Sequence, residues 1–139
     1  MLYIEENEIN PKQLSPLNLA FIGDAVYEIM VREMLVNEAN RPVNDLHSQS
    51  VKYVSAKAQT EAYEAIKDVL TEEESSIFKR GRNAKVGHNP KSASHGEYHI
   101  ATGVETLFGY LYLMKEEERL RELFKICTFV NDVRPKKKK

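Results

Sequence analysis

The sequence contains little cysteine, glycine and proline, and it has no long hydrophobic run. Its one cysteine, Cys127, excludes an intramolecular disulfide, a cysteine-rich zinc site and a disulfide-stapled secreted scaffold. No stretch approaches the roughly 20 consecutive apolar residues of a membrane span. The acidic start "MLYIEENEIN" lacks the basic flank and apolar run of a signal peptide. We therefore expect a cytoplasmic protein with no membrane partner.

Only 6 glycines and 5 prolines interrupt the chain, and no strand-like alternation of apolar and polar residues occurs. Apolar residues recur instead every three or four positions almost throughout, which predicts an all-α fold of about six helices. The fifth and sixth helices are predicted at about residues 98–115 and 116–130, after a long exposed loop that begins near residue 81. Start signals precede the first four: Ser15 before Pro16, Asn44, Ser55, and the capping-box pair Thr71 and Glu74.

Two carboxylates stand alone among apolar residues. Asp24 follows Gly23 in "LAFIGDAVYEIMV", and Glu105 interrupts the apolar face of "YHIATGVETLFGYLYLM". Small residues near both would let the two helices approach closely, so that the carboxylates face each other. Two like charges in a partly buried site favour a hard divalent cation between them, Mg²⁺ or Mn²⁺. Alternatively, each carboxylate caps a helix end, pairs with a base or reaches solvent. The small residues are Ala20 and Gly23 on one helix, and Gly103 and Gly109 on the other.

A basic cluster, "KRGRNAKVGHNPK", occupies residues 79–91 and contains no acidic residue. Removing its five positive charges from the formal net charge of −1 leaves −6 for the rest of the chain. The positive potential is therefore local, as contact with a nucleic-acid backbone requires. Alternatively, the cluster is a solvated surface loop. Lys57, near the start of the third helix, opposes the helix dipole, which points to a phosphate or carboxylate partner. Alternatively, Lys57 is an exposed surface lysine without a ligand. The candidate nucleic-acid-binding residues are Lys57, Lys79, Arg80, Arg82, Asn83, Lys85, His88 and Lys91.

The remaining polar residues give weaker signals. The histidines lack zinc spacing; His95 and His99 are four apart, but glycine and proline surround His95. We therefore expect surface or capping roles for them. Glu28 lies one turn after Asp24, and we expect it to pair with Arg32 rather than to bind a metal.

Two of these stretches resemble motifs of the ribonuclease III family. "LAFIGDAVYE" is similar to the family's signature helix, roughly L-E-F-L-G-D-A-V-L-E. "ATGVETLFGYLYL" is similar to its second acidic motif, roughly A-D-T-F-E-A-L-I-G-A-I-Y-L. The similarity extends through "RPVNDLHSQSVKYVSAKAQTEA" and so covers most of the chain. The short length, with "KRGRNAK" and "VSAKAQ", resembles the one-domain bacterial branch, which lacks the family's double-stranded-RNA-binding domain.

The resemblance implies a single ribonuclease III-like catalytic domain over residues 1–139, with residues 1–14 as an N-terminal extension and residues 134–139 as a basic, disordered tail. It places the catalytic aspartate at Asp24 and the essential metal-binding glutamate at Glu105. The family's other two acids fall on Ala20 and Thr102. With fewer protein ligands, the metal should keep more water and bind more weakly.

Membership of this family would imply Mg²⁺-dependent hydrolysis of double-stranded RNA, with Mn²⁺ as a substitute and no organic cofactor. It implies products with 5′-phosphate and 3′-hydroxyl ends, and the branch is associated with maturation of the large-subunit (23S) ribosomal RNA precursor. It also implies a two-fold homodimer with Phe21 and Ile22 at the interface. The rival interpretation is a non-catalytic RNA-binding or ribosome-associated protein of the same fold. Retention of both Asp24 and Glu105 favours the enzyme.

Overall fold

The computed structural model describes residues 9–85 and 94–133, and it is all-helical there, as predicted. A short 3₁₀ helix, Pro11–Gln13, precedes six α-helices. No strand occurs in these two described segments, and none of their helices is both long and apolar enough to cross a membrane. The α-helices are α1 (Pro16–Glu38), α2 (Val43–Val54), α3 (Ala56–Ile66), α4 (Glu72–Arg82), α5 (His95–Leu113) and α6 (Glu117–Val133).

Three of the predicted helix starts are confirmed by their cap hydrogen bonds. The Ser15 hydroxyl accepts from the Asn18 amide at 3.2 Å, and Ser55 caps α3 in the same way. Thr71 and Glu74 form the reciprocal bonds of a capping box. The prediction for Asn44 is wrong. The N-cap of α2 is Pro42, two residues before Asn44, and it makes no side-chain cap hydrogen bond. The fixed φ of proline already restricts the chain at the helix entry.

The predicted long loop is shorter than expected at both ends. Helix α4 continues through Arg82, and α5 begins at His95 rather than near residue 98. The earlier start of α5 has a local cause, since Ser94 and Glu97 form a second capping box. Residues 86–93 lie outside the described part of the chain.

Helix α5 is the centre of the fold. Most of its residues from Ala101 to Leu111 are buried, and α1, α3, α4 and α6 all pack against it. The Tyr27 ring of α1 meets Phe108 of α5 and Phe124 of α6 edge-on, with centroids 4.9 and 5.5 Å apart. Cys127 is fully buried in the same core. The core therefore fixes the relative positions of α1 and α5, the two helices that carry the isolated carboxylates.

Candidate active site and RNA-binding surface

Two glycines allow α1 and α5 to cross in backbone contact. A Cβ placed on Gly23 would lie 1.6 Å from the Glu105 carbonyl oxygen, and one on Gly109 would lie 1.9 Å from the Leu19 carbonyl oxygen. No side chain fits at either position, since both obstacles are backbone atoms. Gly103 was expected to contribute to this close approach, but it does not. A Cβ placed on Gly103 would meet the Phe78 ring of α4 rather than α1. The close approach therefore depends on Gly23 and Gly109.

This crossing brings Asp24 and Glu105 within hydrogen-bonding reach of each other. Asp24 is exposed at the surface of α1, whereas Glu105 is partly buried on α5. Burial, the negative charge of Asp24 and the hydrogen bond to it raise the pKa of Glu105 to about 8. Near neutral pH Glu105 therefore keeps its proton, because its burial beside the charge of Asp24 disfavours a second negative charge.

The neighbouring positions add no further carboxylate. Ala20 is buried and has no ligand atom. The Thr102 hydroxyl is also buried, and it donates to the Tyr98 carbonyl of its own helix at 2.9 Å. Within the described ranges, no group of three or more histidine, cysteine, aspartate or glutamate side chains could hold a metal ion. Asp24 and Glu105 are therefore the acidic residues that the fold offers here.

Two sets of polar contacts lie near the site, one between α5 and α1 and one within α1. The single Thr106 hydroxyl hydrogen is shared between the Thr102 carbonyl at 2.7 Å and the Pro16 carbonyl at 3.2 Å, and the second contact joins α5 to the start of α1. Glu28, one turn beyond Asp24, accepts from Arg32 at 3.0 and 3.1 Å. The expectation that Glu28 pairs with Arg32 is confirmed.

The basic cluster of residues 79–91 is described as far as Lys85, and its residues there lie on the last turn of α4 and just beyond it. Lys79, Asn83 and Lys85 are exposed. Lys79 and Asn83 line an open groove of about 630 Å³ on this surface. Cations in the last turn also complement the negative end of the helix dipole, which is a structural reason for basic residues here.

Arg80 and Arg82 are already engaged in contacts within the chain. The Arg80 guanidinium donates to the Lys12 carbonyl at 3.1 Å and to the Leu14 carbonyl at 2.7 Å, so it holds the segment that leads into α1. Arg82 donates to the Asn83 side chain at 3.2 Å, and its guanidinium carbon lies 5.9 Å from the centre of the Phe78 ring. Sequence reasoning missed the structural role of Arg80, because its partners lie more than 60 residues earlier in the chain.

The other candidates are more dispersed. Lys57 is exposed in the first turn of α3. His88 and Lys91 lie outside the described residues. Of the two candidate interface residues, Phe21 is 85% exposed, whereas Ile22 is partly buried and packs against the core.

Comparison with known proteins places the chain in a family. The profile of the ribonuclease III domain matches residues 17–116. A Mini-ribonuclease 3 from Thermoanaerobacter sp. (strain X514) is 48% identical over 134 residues, covering 94% of each chain. A Mini-ribonuclease 3 from Staphylococcus aureus is 43% identical over 131 residues, covering 92% of this chain and 96% of its own.

A solved structure agrees with these sequence matches. The crystal structure of a protein from Fusobacterium nucleatum superposes with a TM-score of 0.77 at 33% identity, covering 85% of this chain and 94% of the other. The profile match, the relatives and the shared fold agree over most of the chain. The chain therefore belongs to the ribonuclease III family of endoribonucleases, among the Mini-ribonuclease 3 proteins.

Proposed function

We propose that the protein is a Mg²⁺-dependent endoribonuclease that cleaves double-stranded RNA, with Asp24 and Glu105 as its catalytic, metal-binding residues. The observation that carries this proposal is the carboxylate pair at the glycine crossing of α1 and α5. A chain that only bound RNA would gain nothing from holding two carboxylates against each other at this cost. We further propose that the products carry 5′-phosphate and 3′-hydroxyl ends.

The pair fits a hard divalent cation. Both side chains offer oxygen ligands, which Mg²⁺ and Mn²⁺ prefer, and a cation would relieve the repulsion that raises the pKa of Glu105. Since Ala20 and Thr102 supply no carboxylate, water and RNA oxygens would complete the coordination sphere. We expect weak binding, so that activity depends on added Mg²⁺, with Mn²⁺ as a substitute.

The roles of the two residues follow from their positions. Asp24 is exposed and can contact the RNA directly, whereas Glu105 is partly buried on α5. Both carboxylates must be ionised to act as ligands. Asp24 and Glu105 would hold the cation, which when bound would supply polarisation of a phosphoryl oxygen and a lowered pKa for a bound water. Asp24 and Glu105 stay close together because α1 and α5 pack in backbone contact at Gly23 and Gly109.

We propose that the end of α4 and the segment after it contact the RNA backbone. A-form RNA is recognised mainly through its shape, phosphates and 2′-hydroxyls, so exposed cations and amides are suitable donors. Lys79, Asn83 and Lys85 are the exposed candidates of this surface in the described part, and Lys57 is exposed elsewhere, on α3. Arg80, Arg82 and Lys57 remain candidates from the sequence, as do His88 and Lys91 outside that part. For Arg80, RNA contact would compete with its two carbonyl partners.

We also propose a homodimer with one site per RNA strand. The large exposed area of Phe21 in the isolated chain supports an interface there. We propose the 23S ribosomal RNA precursor as substrate and the cytoplasm as location. The substrate is proposed from the family resemblance alone, whereas the location is consistent with a chain whose one cysteine is free and buried.

The test uses the purified full chain and four matched nucleic acids: double-stranded RNA, single-stranded RNA, duplex DNA and an RNA–DNA hybrid. Wild type should cut only the double-stranded RNA and only with Mg²⁺ or Mn²⁺, and EDTA should stop the reaction. End labelling then reads the 5′ and 3′ chemistry. Binding of the RNA without cleavage under all metal conditions would reject the proposed chemistry and favour the non-catalytic alternative.

A further inference from the structure

Two histidines on α5 form a pair that the proposed reaction does not use. Because α5 begins at His95, His95 and His99 are one helical turn apart on the same helix. Their imidazole rings are in contact, with centroids 4.2 Å apart and planes at 65°. His95 is exposed, and His99 is partly buried. Because both residues belong to α5, their spacing of four places the two side chains next to each other on one face of the helix.

The chemistry of this pair suits a transition metal. Neutral imidazole nitrogen is a preferred ligand for Zn²⁺, Ni²⁺ and Cu²⁺. Two histidines at positions i and i+4 on one helix face are also the arrangement that holds zinc in helical metal motifs. His99 Nδ1 is buried and has no hydrogen-bond partner among the described residues. An unpaired buried nitrogen costs free energy, and a bound ligand would remove that cost.

We propose that His95 and His99 form a second metal site, for a borderline transition-metal ion such as Zn²⁺, Ni²⁺ or Cu²⁺. With a rise of 1.5 Å per residue, the pair lies roughly 9–15 Å along the α5 axis from Glu105, so it is separate from the Asp24–Glu105 pair. No third histidine, cysteine, aspartate or glutamate of the described segments completes a cluster here. Water or phosphate oxygens of bound RNA therefore fill the other positions.

The two sites differ in the metal they select. The carboxylate oxygens of Asp24 and Glu105 suit a hard ion such as Mg²⁺, whereas imidazoles suit a softer ion. A metal on His95 and His99 also joins the first turn of α5 to the second. It should therefore stabilise the N-terminal end of the helix that carries Glu105, and this stabilisation is measurable without any activity assay.

The experiment titrates Zn²⁺ alone into the purified full chain by isothermal calorimetry. His95→Gln is the main variant, because His95 is exposed and its replacement leaves the core intact. His47→Gln on α2 is the matched control, since His47 is also an exposed helical histidine. Asp24→Asn separates this site from the carboxylate pair. Circular dichroism verifies that each variant is folded.

We expect one Zn²⁺ per chain in wild type, His47→Gln and Asp24→Asn. His95→Gln should weaken binding by more than the roughly 10- to 100-fold that loss of a supporting residue around a metal costs. Zn²⁺ should raise the melting temperature of wild type but not of His95→Gln. Ni²⁺ should broaden the NMR signals of residues around His95 and His99 first. Equal Zn²⁺ affinity in His95→Gln and wild type would overturn the proposal, as would loss of binding in Asp24→Asn instead.

Discussion

At the scale of single residues, Glu105 links stability to pH. Its folded-state pKa of about 8 lies above the ordinary value of 4.5, so the folded chain binds a proton that the unfolded chain releases. This contribution is complete below the ordinary pKa and is lost as pH rises toward about 8. One pKa unit corresponds to about 1.4 kcal/mol, and solvent at the exposed Asp24 screens the pair. We therefore expect metal-free stability to fall by about 2–3 kcal/mol between about pH 5 and pH 8.5.

Urea denaturation in EDTA at several pH values measures this loss. Glu105→Gln should flatten the dependence, whereas Glu118→Gln, a change at an exposed glutamate of α6, should keep the wild-type profile. Added Mg²⁺ should restore stability at high pH more than at low pH, because only the ionised pair binds it. A wild-type stability that is equal at both ends of this range would show that Glu105 is not desolvated as described.

Single-residue features were predictable where their cause is local in the sequence. The meeting of Asp24 and Glu105 is a contact between distant residues, but it could be inferred as one alternative because each carboxylate interrupts an apolar helix face that also carries small residues. The contact between His95 and His99 was missed, although the pattern of Ser94 and Glu97 marks a helix start at His95. The carbonyl partners of Arg80 could not be predicted, because only tertiary packing brings the distant Lys12 and Leu14 to it.

At the scale of helices, the crossing of α1 and α5 depends on the absence of two side chains. We expect Gly23→Ala to lower the free energy of unfolding by about 3 kcal/mol or more, because the added methyl would meet the backbone of Glu105 and Gly109. Gly109→Ala should behave similarly, since its methyl would meet the Leu19 carbonyl. Both are measured by chemical denaturation.

Gly96 provides the matched control in the first turn of α5. A Cβ there would meet nothing within 4 Å, so Gly96→Ala should leave stability unchanged or raise it by up to about 1 kcal/mol through helix propensity. If Gly23→Ala and Gly96→Ala had the same effect, backbone contact would not be what sets the separation of the two helices.

Arg119 joins α6 to the start of α4. Its guanidinium donates to both Glu74 carboxylate oxygens at 2.7 and 2.8 Å and to the Val69 carbonyl at 2.7 Å. Burial tends to raise the pKa of Glu74, but the bonds from Arg119 and Thr71 outweigh it and lower that pKa. Arg119→Met should cost about 2–3 kcal/mol, because it leaves a buried carboxylate without its charge partner.

The control for this change lies on the same helix. Arg121 pairs with Glu117 at 3.5 Å, and its side chain is 61% exposed. Arg121→Met should therefore cost less than about 1 kcal/mol, as exposed pairs do. Thermal melts of both variants give the comparison, and equal melting temperatures would contradict the importance assigned to Arg119.

At the scale of the whole molecule, the fold class could be predicted because apolar spacing is helical along almost the entire chain. The ends of the long connection were misplaced for two different reasons. The start of α5 is marked by the Ser94–Glu97 capping box, which was missed, whereas the extension of α4 through Arg82 accompanies its packing against α5, which the sequence does not show. The division into one domain over residues 1–139, with an extension at 1–14 and a tail at 134–139, remains a prediction. Pro11 is buried, however, and Arg80 holds Lys12 and Leu14, so part of that extension packs on the domain.

Exposed aromatic residues give a test of the proposed dimer. Phe21 on α1 and Phe129 on α6 are 85% and 64% exposed in the single chain. We expect Phe21→Asp to convert the protein from dimer to monomer in light-scattering chromatography, because it places a charge in an apolar interface. Phe129→Asp should leave the mass unchanged. A dimer that persists in Phe21→Asp would move the interface elsewhere.

Catalysis by Asp24 and Glu105 is tested by the single-turnover cleavage rate of double-stranded RNA with saturating enzyme and Mg²⁺. RNA binding is measured in parallel for wild type, Asp24→Asn, Glu105→Gln and the control Glu118→Gln. We predict that Asp24→Asn and Glu105→Gln bind RNA as wild type does but cleave it at least about 100-fold more slowly, which corresponds to about 2.7 kcal/mol in activation free energy. Glu118→Gln should cleave normally. Wild-type cleavage rates in either carboxylate variant would contradict the assignment of catalysis to this pair.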